Sequence, residues 1–118
     1  MRIDIITIFP EFFNHFFEYS ILKIAQEKGK VNINIHNLRD YSSNKQKSVD
    51  DYQFGGGAGM VMTIQPIDEL ICKLKSERKY DEIIYLTPDG VRLNQQICNK
   101  LSIYEKHLNN FIITTCNT

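Results

Sequence analysis

The stretch Ile3–Phe9, IDIITIF, is a nearly continuous run of β-prone residues that ends at Pro10. Such a run is typical of a strand covered on both faces, because a strand with one wet face alternates apolar and polar residues. The apolar spacing then becomes helical, and it predicts one helix from Glu11 to Lys28 with Gly29 as its C-terminal cap. A strand followed by such a helix favours a β-α-β unit and a parallel sheet.

The rest of the chain continues this alternation. Val31, Ile33 and Ile35 alternate with polar residues, which predicts a second strand near an edge of the sheet. Asn94 is a candidate N-cap for a later helix. The remaining predicted helices span 65–77 and 94–104, and the remaining predicted strands span 82–87 and 111–115. The pattern predicts an α/β fold with a mainly parallel sheet and flanking helices, in which ligands bind beyond the carboxyl ends of the strands.

The composition is that of an ordinary globular domain, with 118 residues, 42% hydrophobic and 24% charged. These values argue against a disordered tail, a collagen-like repeat and a coiled coil, and the length suits one domain without a second. The 14 basic and 14 acidic residues give zero formal net charge, so any anion site has to be local. No stretch reaches the ~18 apolar residues of a membrane span, so no membrane contact is expected.

The cysteines and histidines predict neither disulfides nor a metal site. The chain has three cysteines, Cys72, Cys98 and Cys116, an odd number with no C-x-x-C spacing. This pattern argues against a disulfide framework and favours a reducing, cytoplasmic environment. We expect each cysteine to be a small hydrophobic residue of the core. The three histidines lack the spacing of metal ligands among themselves or with the cysteines.

The segment 37–62 is longer than most connections in compact domains, which indicates a function. Its run GGGAG at 55–59 lets backbone N–H groups approach a phosphate, a ribose or another chain. The run fits neither a P-loop nor a dinucleotide fingerprint, so a flexible turn and a ligand or substrate loop both remain open. Asp50 and Asp51 point to opposite sides of an extended backbone, so turn or capping roles are favoured over a catalytic pair.

Taken together, these pieces resemble one family, the bacterial tRNA (guanine-N1)-methyltransferases, which belong to the SPOUT class of trefoil-knot enzymes. The resemblance covers about Met1 to Cys116, and the segment at 49–62 is its most specific part. The matching motifs are IDIITIFPEFF (3–13), SILKIAQEKGKV (20–31), IHNLRDY (35–41), VDDYQFGGGAGMVM (49–62), QPI (65–67) and IYLTPDG (84–90).

The resemblance implies a homodimeric enzyme that transfers a methyl group from S-adenosylmethionine to N1 of the guanosine next to the anticodon of tRNA. It implies cofactor binding by Tyr85, Leu86, Thr87, Pro88, Asp89 and Gly90. It implies a substrate loop that includes Asp50, Gly55, Gly56, Gly57, Gly59 and Met60. It assigns no catalytic residue and no metal ligand to this chain.

The chain departs from the family pattern at its carboxyl end, where Asn117 follows Cys116 in place of a glycine. The family's knot-forming cofactor loops, with the proposed general base, an Asp, and its partner Arg, would come later. We therefore expect 1–118 to be a partial methyltransferase domain without the knot region, inactive alone, with the strand at 111–115 left at an apolar edge. A non-catalytic remnant or interaction fragment is the alternative. A separate RNA-binding module is disfavoured because the net charge is zero and no strand carries an aromatic platform.

Overall fold

The computed structural model describes residues 1–42, 50–52, 60–62, 64–102 and 110–115. Its strands and helices alternate as an α/β fold requires, which confirms the predicted class. The elements are β1 (Arg2–Thr7), α1 (Pro10–Phe16), α2 (Ser20–Glu27), β2 (Asn32–Asn37), a short 3-10 helix (Leu38–Tyr41), β3 (Asp50–Tyr52), β4 (Met60–Met62), α3 (Ile64–Glu77), β5 (Glu82–Leu86), α4 (Gln95–Ser102) and β6 (Asn110–Thr115).

Four strands form one parallel sheet in the order β2-β1-β6-β5. The register places Ile5 of β1 between Ile35 of β2 and Ile113 of β6, and Ile113 also pairs with Ile84 of β5. The strands therefore end together along one side, the carboxyl edge, and begin together along the opposite side, the amino edge. The parallel sheet and the edge position of β2 confirm the sequence predictions.

The strand at 111–115 was expected at an apolar edge, and that expectation is wrong. It forms most of β6, which lies between β1 and β5 and buries Phe111 and Ile112. The edge strand on this side is β5, where Ile83 and Leu86 are each about half exposed. Chain order and spatial order differ because a crossover connection can carry a parallel strand past its predecessor.

The main core lies between α3 and one face of the sheet. Ile6 and Ile112 contribute from the sheet, Leu70 and Leu74 from α3, and Leu38 from the 3-10 helix. Burying a side chain of this size stabilises the fold by roughly 1.5–3 kcal/mol. The pairing of Leu70 with Leu74 is the i, i+4 stripe expected for a helix with one apolar face.

The predicted helix over 11–28 is instead two helices, α1 and α2, separated by residues 17–19. Tyr19 is extended, with φ −127° and ψ 159°. The side-chain amide of Gln26 donates a hydrogen bond to the carbonyl of Phe17 at 3.3 Å, which satisfies a backbone acceptor where the first helix ends. The single-helix prediction failed because the apolar spacing continues across the break. The hydrogen bond that accompanies the break comes from Gln26, nine residues after Phe17, so local spacing does not reveal it.

Gly29 ends α2 as predicted. Its φ is +68°, and its N–H donates to the carbonyl of Gln26 at 3.1 Å. The N–H of Lys30 donates to the carbonyl of Ala25 at 2.9 Å. These two bonds form a Schellman motif, which satisfies the last carbonyls of a helix through one left-handed residue.

The cysteine prediction is wrong for the two cysteines that the structure describes. Cys72 on α3 and Cys98 on α4 are both exposed. Cys72 lies between Leu70 and Leu74 in sequence, so it falls outside the buried stripe of its helix. Cys116 lies outside the described residues.

Substitution of Gly29 separates backbone strain from packing, because a Cβ at this position would meet no atom within 4 Å. We expect Gly29→Ala to lower the free energy of unfolding by about 1 kcal/mol, since a left-handed φ is unfavourable for alanine. Gly29→Asn is the matched control and should cost less, because asparagine tolerates this conformation. Urea unfolding followed by circular dichroism measures both; equal losses for the two variants would contradict the backbone explanation.

Candidate functional site

The segment after β5 forms a tight turn at the carboxyl edge. The N–H of Gly90 donates to the carbonyl of Thr87 at 3.2 Å, and the N–H of Asp89 donates to the Thr87 hydroxyl at 3.4 Å. Pro88 occupies the second position of this turn, where its fixed φ is favourable. Thr87 therefore organises the turn through both its backbone and its side chain.

The structure gives a steric reason for a glycine at position 90. Among the described glycines only Gly29 has a positive φ. A Cβ on Gly90 would lie 3.3 Å from both the methyl group and the carbonyl oxygen of Thr87. The glycine allows the close approach of the chain to Thr87.

All six residues predicted to bind the cofactor lie in this strand end and turn. Tyr85 and Leu86 are about half exposed, and residues 87–90 are exposed. Tyr85 pairs with Thr114 of the central strand β6. The structure thus brings the predicted residues together at the edge where parallel sheets bind ligands.

Thr114 adds a polar group beside this strand end. Its side chain is buried, and its hydroxyl oxygen has no hydrogen-bond partner in the part of the chain that the structure describes. A buried hydroxyl without a partner costs about 1–3 kcal/mol. A ligand or a further segment at the carboxyl edge would remove that cost.

The long segment 37–62 contains more regular structure than its sequence indicated. The 3-10 helix begins after Asn37, whose side chain accepts a hydrogen bond from the N–H of Arg39 at 3.0 Å. The strands β3 and β4 then form an antiparallel pair in which Asp50 lies opposite Met62. Asp50 and Asp51 are consecutive in β3, so their backbone is extended, and they lie in a paired strand and not in the turn or cap that the sequence favoured.

Of the predicted substrate-loop residues, the structure describes the backbone of two. Asp50 lies in β3 and Met60 lies in β4, so the two strands flank the glycine run on either side. Gly55, Gly56, Gly57 and Gly59 lie outside the described residues. Their role as a substrate loop therefore stays a prediction.

Helix α3 holds the start of this segment against the core. The side-chain amide of Gln65 donates to the carbonyl of Tyr41 at 3.0 Å. Lys73 donates to the Tyr41 hydroxyl at 3.1 Å, and its ammonium group lies 5.4 Å from the centre of the tyrosine ring. Leu38, fully buried, packs in the same core as α3. Core packing of Leu38 and hydrogen bonds to Tyr41 thus both hold the 3-10 helix against α3.

A cluster around Asp4 was not predicted from the sequence. The Asp4 carboxylate is fully buried and accepts hydrogen bonds from Nε and Nη2 of Arg2 at 3.0 and 3.1 Å. The hydroxyl of Tyr80 donates to it at 2.7 Å, and Nε2 of His36 lies 2.8 Å away. We call these four residues the Asp4 cluster. Its one sequence signal is an aspartate between isoleucines in an otherwise apolar strand.

The Asp4 cluster joins β1, β2 and the segment before β5. Arg2 and Asp4 lie on β1, His36 lies on β2, and Tyr80 precedes β5. Burial, together with the hydrogen bond to the Asp4 carboxylate, raises the pKa of Tyr80 to about 12. Tyr80 therefore stays protonated near neutral pH and acts as a donor to the buried charge.

Comparison with known proteins shows a match to one family over nearly all of this chain. The family model described as tRNA (Guanine-1)-methyltransferase TrmD matches residues 1–116. The chain belongs to this family. Its membership confirms the resemblance seen in the sequence motifs.

Two relatives and one crystal structure support the assignment. The chain is 68% identical to a tRNA (guanine-N(1)-)-methyltransferase of Flavobacterium johnsoniae over 105 residues, which are 89% of this chain and 46% of the relative. It is 63% identical to that of Flavobacterium psychrophilum over 113 residues, 96% of this chain and 48% of the relative. The crystal structure of tRNA (m1G37) methyltransferase from Aquifex aeolicus matches with a TM-score of 0.82 and 33% identity, over 97% of this chain and 50% of that one. The chain thus spans about half the length of these relatives.

No helix within the described ranges is both long and apolar enough to cross a bilayer. No group of three or more His, Cys, Asp or Glu side chains in those ranges could hold a metal ion.

The raised pKa of Tyr80 predicts a loss of stability in alkali. The folded pKa of about 12 exceeds the unfolded value of about 10, so the contribution of Tyr80 is fully present below pH 10 and is lost as pH rises through 12. We expect the urea midpoint of the wild type to fall more steeply between pH 10 and 12 than that of Tyr80→Phe. Tyr19→Phe, which removes an exposed hydroxyl, is the control and should keep the wild-type slope. Parallel curves for wild type and Tyr80→Phe would contradict the assignment.

Proposed function

We propose that this chain forms the amino-terminal half of an S-adenosylmethionine-dependent methyltransferase that modifies N1 of the guanosine next to the anticodon of tRNA. The main support is the family match together with the position of residues 85–90 beyond the carboxyl end of β5. Parallel α/β sheets bind their ligands at such strand ends. Residues 1–118 would then be a partial methyltransferase domain.

The turn after β5 has groups that suit an adenosine cofactor. Leu86 and Tyr85 present apolar surface at the strand end, which suits a purine ring. The exposed carboxylate of Asp89 is an acceptor for ribose hydroxyls, and the compact turn from Thr87 to Gly90 offers backbone groups close to both. When bound, S-adenosylmethionine supplies the electrophilic methyl group of its sulfonium.

The substrate side would be formed by the β3–β4 pair and the glycine run between its strands. Closely spaced glycines allow backbone N–H groups to approach a ribose or a phosphate without obstruction by Cβ atoms. The 3-10 helix, held by α3, fixes where this segment leaves the sheet. A rigid base with a glycine-rich tip is a common arrangement for a loop that contacts a ligand.

The reaction also needs groups that we do not assign to this chain. Guanine N1 carries a proton at neutral pH, so its attack on a methyl group requires a positioned base and a group that stabilises negative charge on the ring. The resemblance implies that the family takes these groups from a carboxyl portion and a second subunit. The chain spans about half of its relatives, so we propose that a second polypeptide portion, in a cytoplasmic homodimer, completes the site.

One observation favours the alternative, an interaction fragment without catalysis. Val91 and Leu93, which follow the turn after β5, are 87% and 69% exposed, and Ile83 on the edge strand β5 is 41% exposed. Exposed apolar side chains on an edge strand and in the segment after it favour contact with another polypeptide. In this alternative the chain would bind another polypeptide and would take no part in methyl transfer.

A chimera tests the proposed function. Residues 1–116 of this chain would replace the matching part of the Flavobacterium johnsoniae relative, to which they are 68% identical over 105 residues. We expect the purified chimera to transfer label from S-adenosylmethionine to a tRNA transcript with guanosine at the target position. A transcript with adenosine there is the control and should stay unlabelled. A folded chimera that labels neither transcript would overturn the proposal.

The isolated 118-residue chain is expected to give no product above the no-enzyme blank in the same assay. The physical reason is that neither a base nor a charge-stabilising group for guanine N1 is assigned within it. Mass spectrometry of the digested tRNA identifies the modified base. Formation of 1-methylguanosine by the chain alone would show that its own residues supply both groups.

The glycine run gives a separate test in the chimera. We expect Gly57→Val to reduce the methylation rate about tenfold or more, with little change in melting temperature, if the backbone at this position contacts the substrate. Ala58→Val is the matched control, because a Cβ is already present there. Equal loss of activity and melting temperature in Gly57→Val would instead support a purely structural turn.

A further inference from the structure

A second candidate binding surface lies at the amino edge of the sheet, opposite the turn after β5. It is an open depression of about 750 Å³, a size within the usual range for ligand sites. Its polar lining residues are Arg2, Arg78, Gln26, Asn32 and Asn110, and Met1 at the amino terminus also lines it. No carboxylate is among the described residues that line it. The lining is therefore suited to an anion.

Arg78 is the charged group with most freedom to bind a ligand there. It follows the last residue of α3, and its N–H donates to the carbonyl of Leu74 at 3.2 Å, which fixes the backbone. Its side chain is 29% exposed, and the Glu77 carboxylate lies 4.0 Å away, at the outer limit of an ion pair. Such a pair near the surface contributes little, so the guanidinium donors can turn to a ligand.

Arg2 adds a second guanidinium that is already held in place. Its Nε and Nη2 donate to the buried Asp4 carboxylate, which uses two of about five N–H donors in an arginine. The remaining donors belong to a group whose orientation is fixed, so binding a ligand costs little further side-chain entropy. Asn110 is also fixed, because its side-chain amide donates to the carbonyl of Lys79 at 2.8 Å.

We propose that this depression binds a phosphate group and that, given the proposed function, the phosphate is a backbone phosphodiester of the tRNA. Two arginines that line one depression suit phosphate, which arginine binds through paired N–H bonds. These 118 residues have no net charge, so any attraction that they exert on RNA has to come from a local site. The two edges are separated by a strand of six residues, roughly 20 Å, a distance that a folded RNA spans.

Binding of phosphate itself is tested on the 118-residue chain with inorganic phosphate. We expect the Nε–Hε signals of Arg2 and Arg78 in ¹⁵N spectra to shift during the titration at constant ionic strength. Arg78→Gln should abolish the shift at Arg2, and Lys100→Gln on the exposed helix α4 should leave it unchanged. Arg78→Gln keeps every hydrogen bond of the Asp4 cluster, so its spectrum reports binding and not unfolding. Absence of shifts at both arginines would overturn the site.

Binding of RNA is tested with a fluorescently labelled tRNA transcript and anisotropy at several salt concentrations. We expect Arg78→Gln to raise Kd about fivefold and to reduce the salt slope by about 1, as loss of one phosphate contact does. Lys100→Gln should change neither quantity. If phosphate binds but RNA does not, or RNA affinity is the same in Arg78→Gln, the assignment to tRNA is overturned. Methyl transfer by the chimera is measured separately, so failure here is distinguishable from failure of the proposed function.

Discussion

A buried negative charge in the middle of β1 is the constraint that the rest of the structure satisfies. Asp4 has no exposed surface, and an unpaired carboxylate in such a position would be highly unfavourable. Arg2, His36 and Tyr80 surround it, at sequence separations of 2, 32 and 76 residues. Removing one partner from a buried ion pair typically costs about 3–5 kcal/mol. The cluster therefore specifies which segments lie beside β1, in addition to the apolar core.

The hydrogen bonds to Asp4 hold residues near both the carboxyl edge and the amino edge of the sheet. His36 joins β2 to β1 just before the 3-10 helix, where the predicted substrate segment begins. Tyr80 joins the approach to β5 to the same carboxylate, and β5 leads directly to the turn at 87–90. On the other side, the bonds that satisfy Asp4 also fix the Arg2 guanidinium at the amino edge. One buried charge thus orients two candidate binding surfaces.

Local patterns predicted the parts of the fold that local patterns control. The apolar run of β1, the alternation in β2 and the cap at Gly29 each depend on neighbouring residues, and the structure confirms them. The break between α1 and α2 is accompanied by a side-chain hydrogen bond from Gln26, nine residues away, and the central position of β6 depends on chain crossovers. The strands β3 and β4 have three residues each, too few for a period to be recognised. The Asp4 cluster was missed because two of its members, His36 and Tyr80, are distant from Asp4 in sequence. The cofactor residues were predicted together because they are consecutive.

The central claim is that the turn after β5, held in register by the sheet, binds the adenosine cofactor. An amide chemical-shift map of the chimera during titration with S-adenosylmethionine tests this most directly. The largest shifts are predicted at Leu86, Thr87, Asp89 and Gly90, with smaller shifts at the neighbouring end of β6. Large shifts confined to α1 and α2, with residues 86–90 unmoved, would contradict the claim.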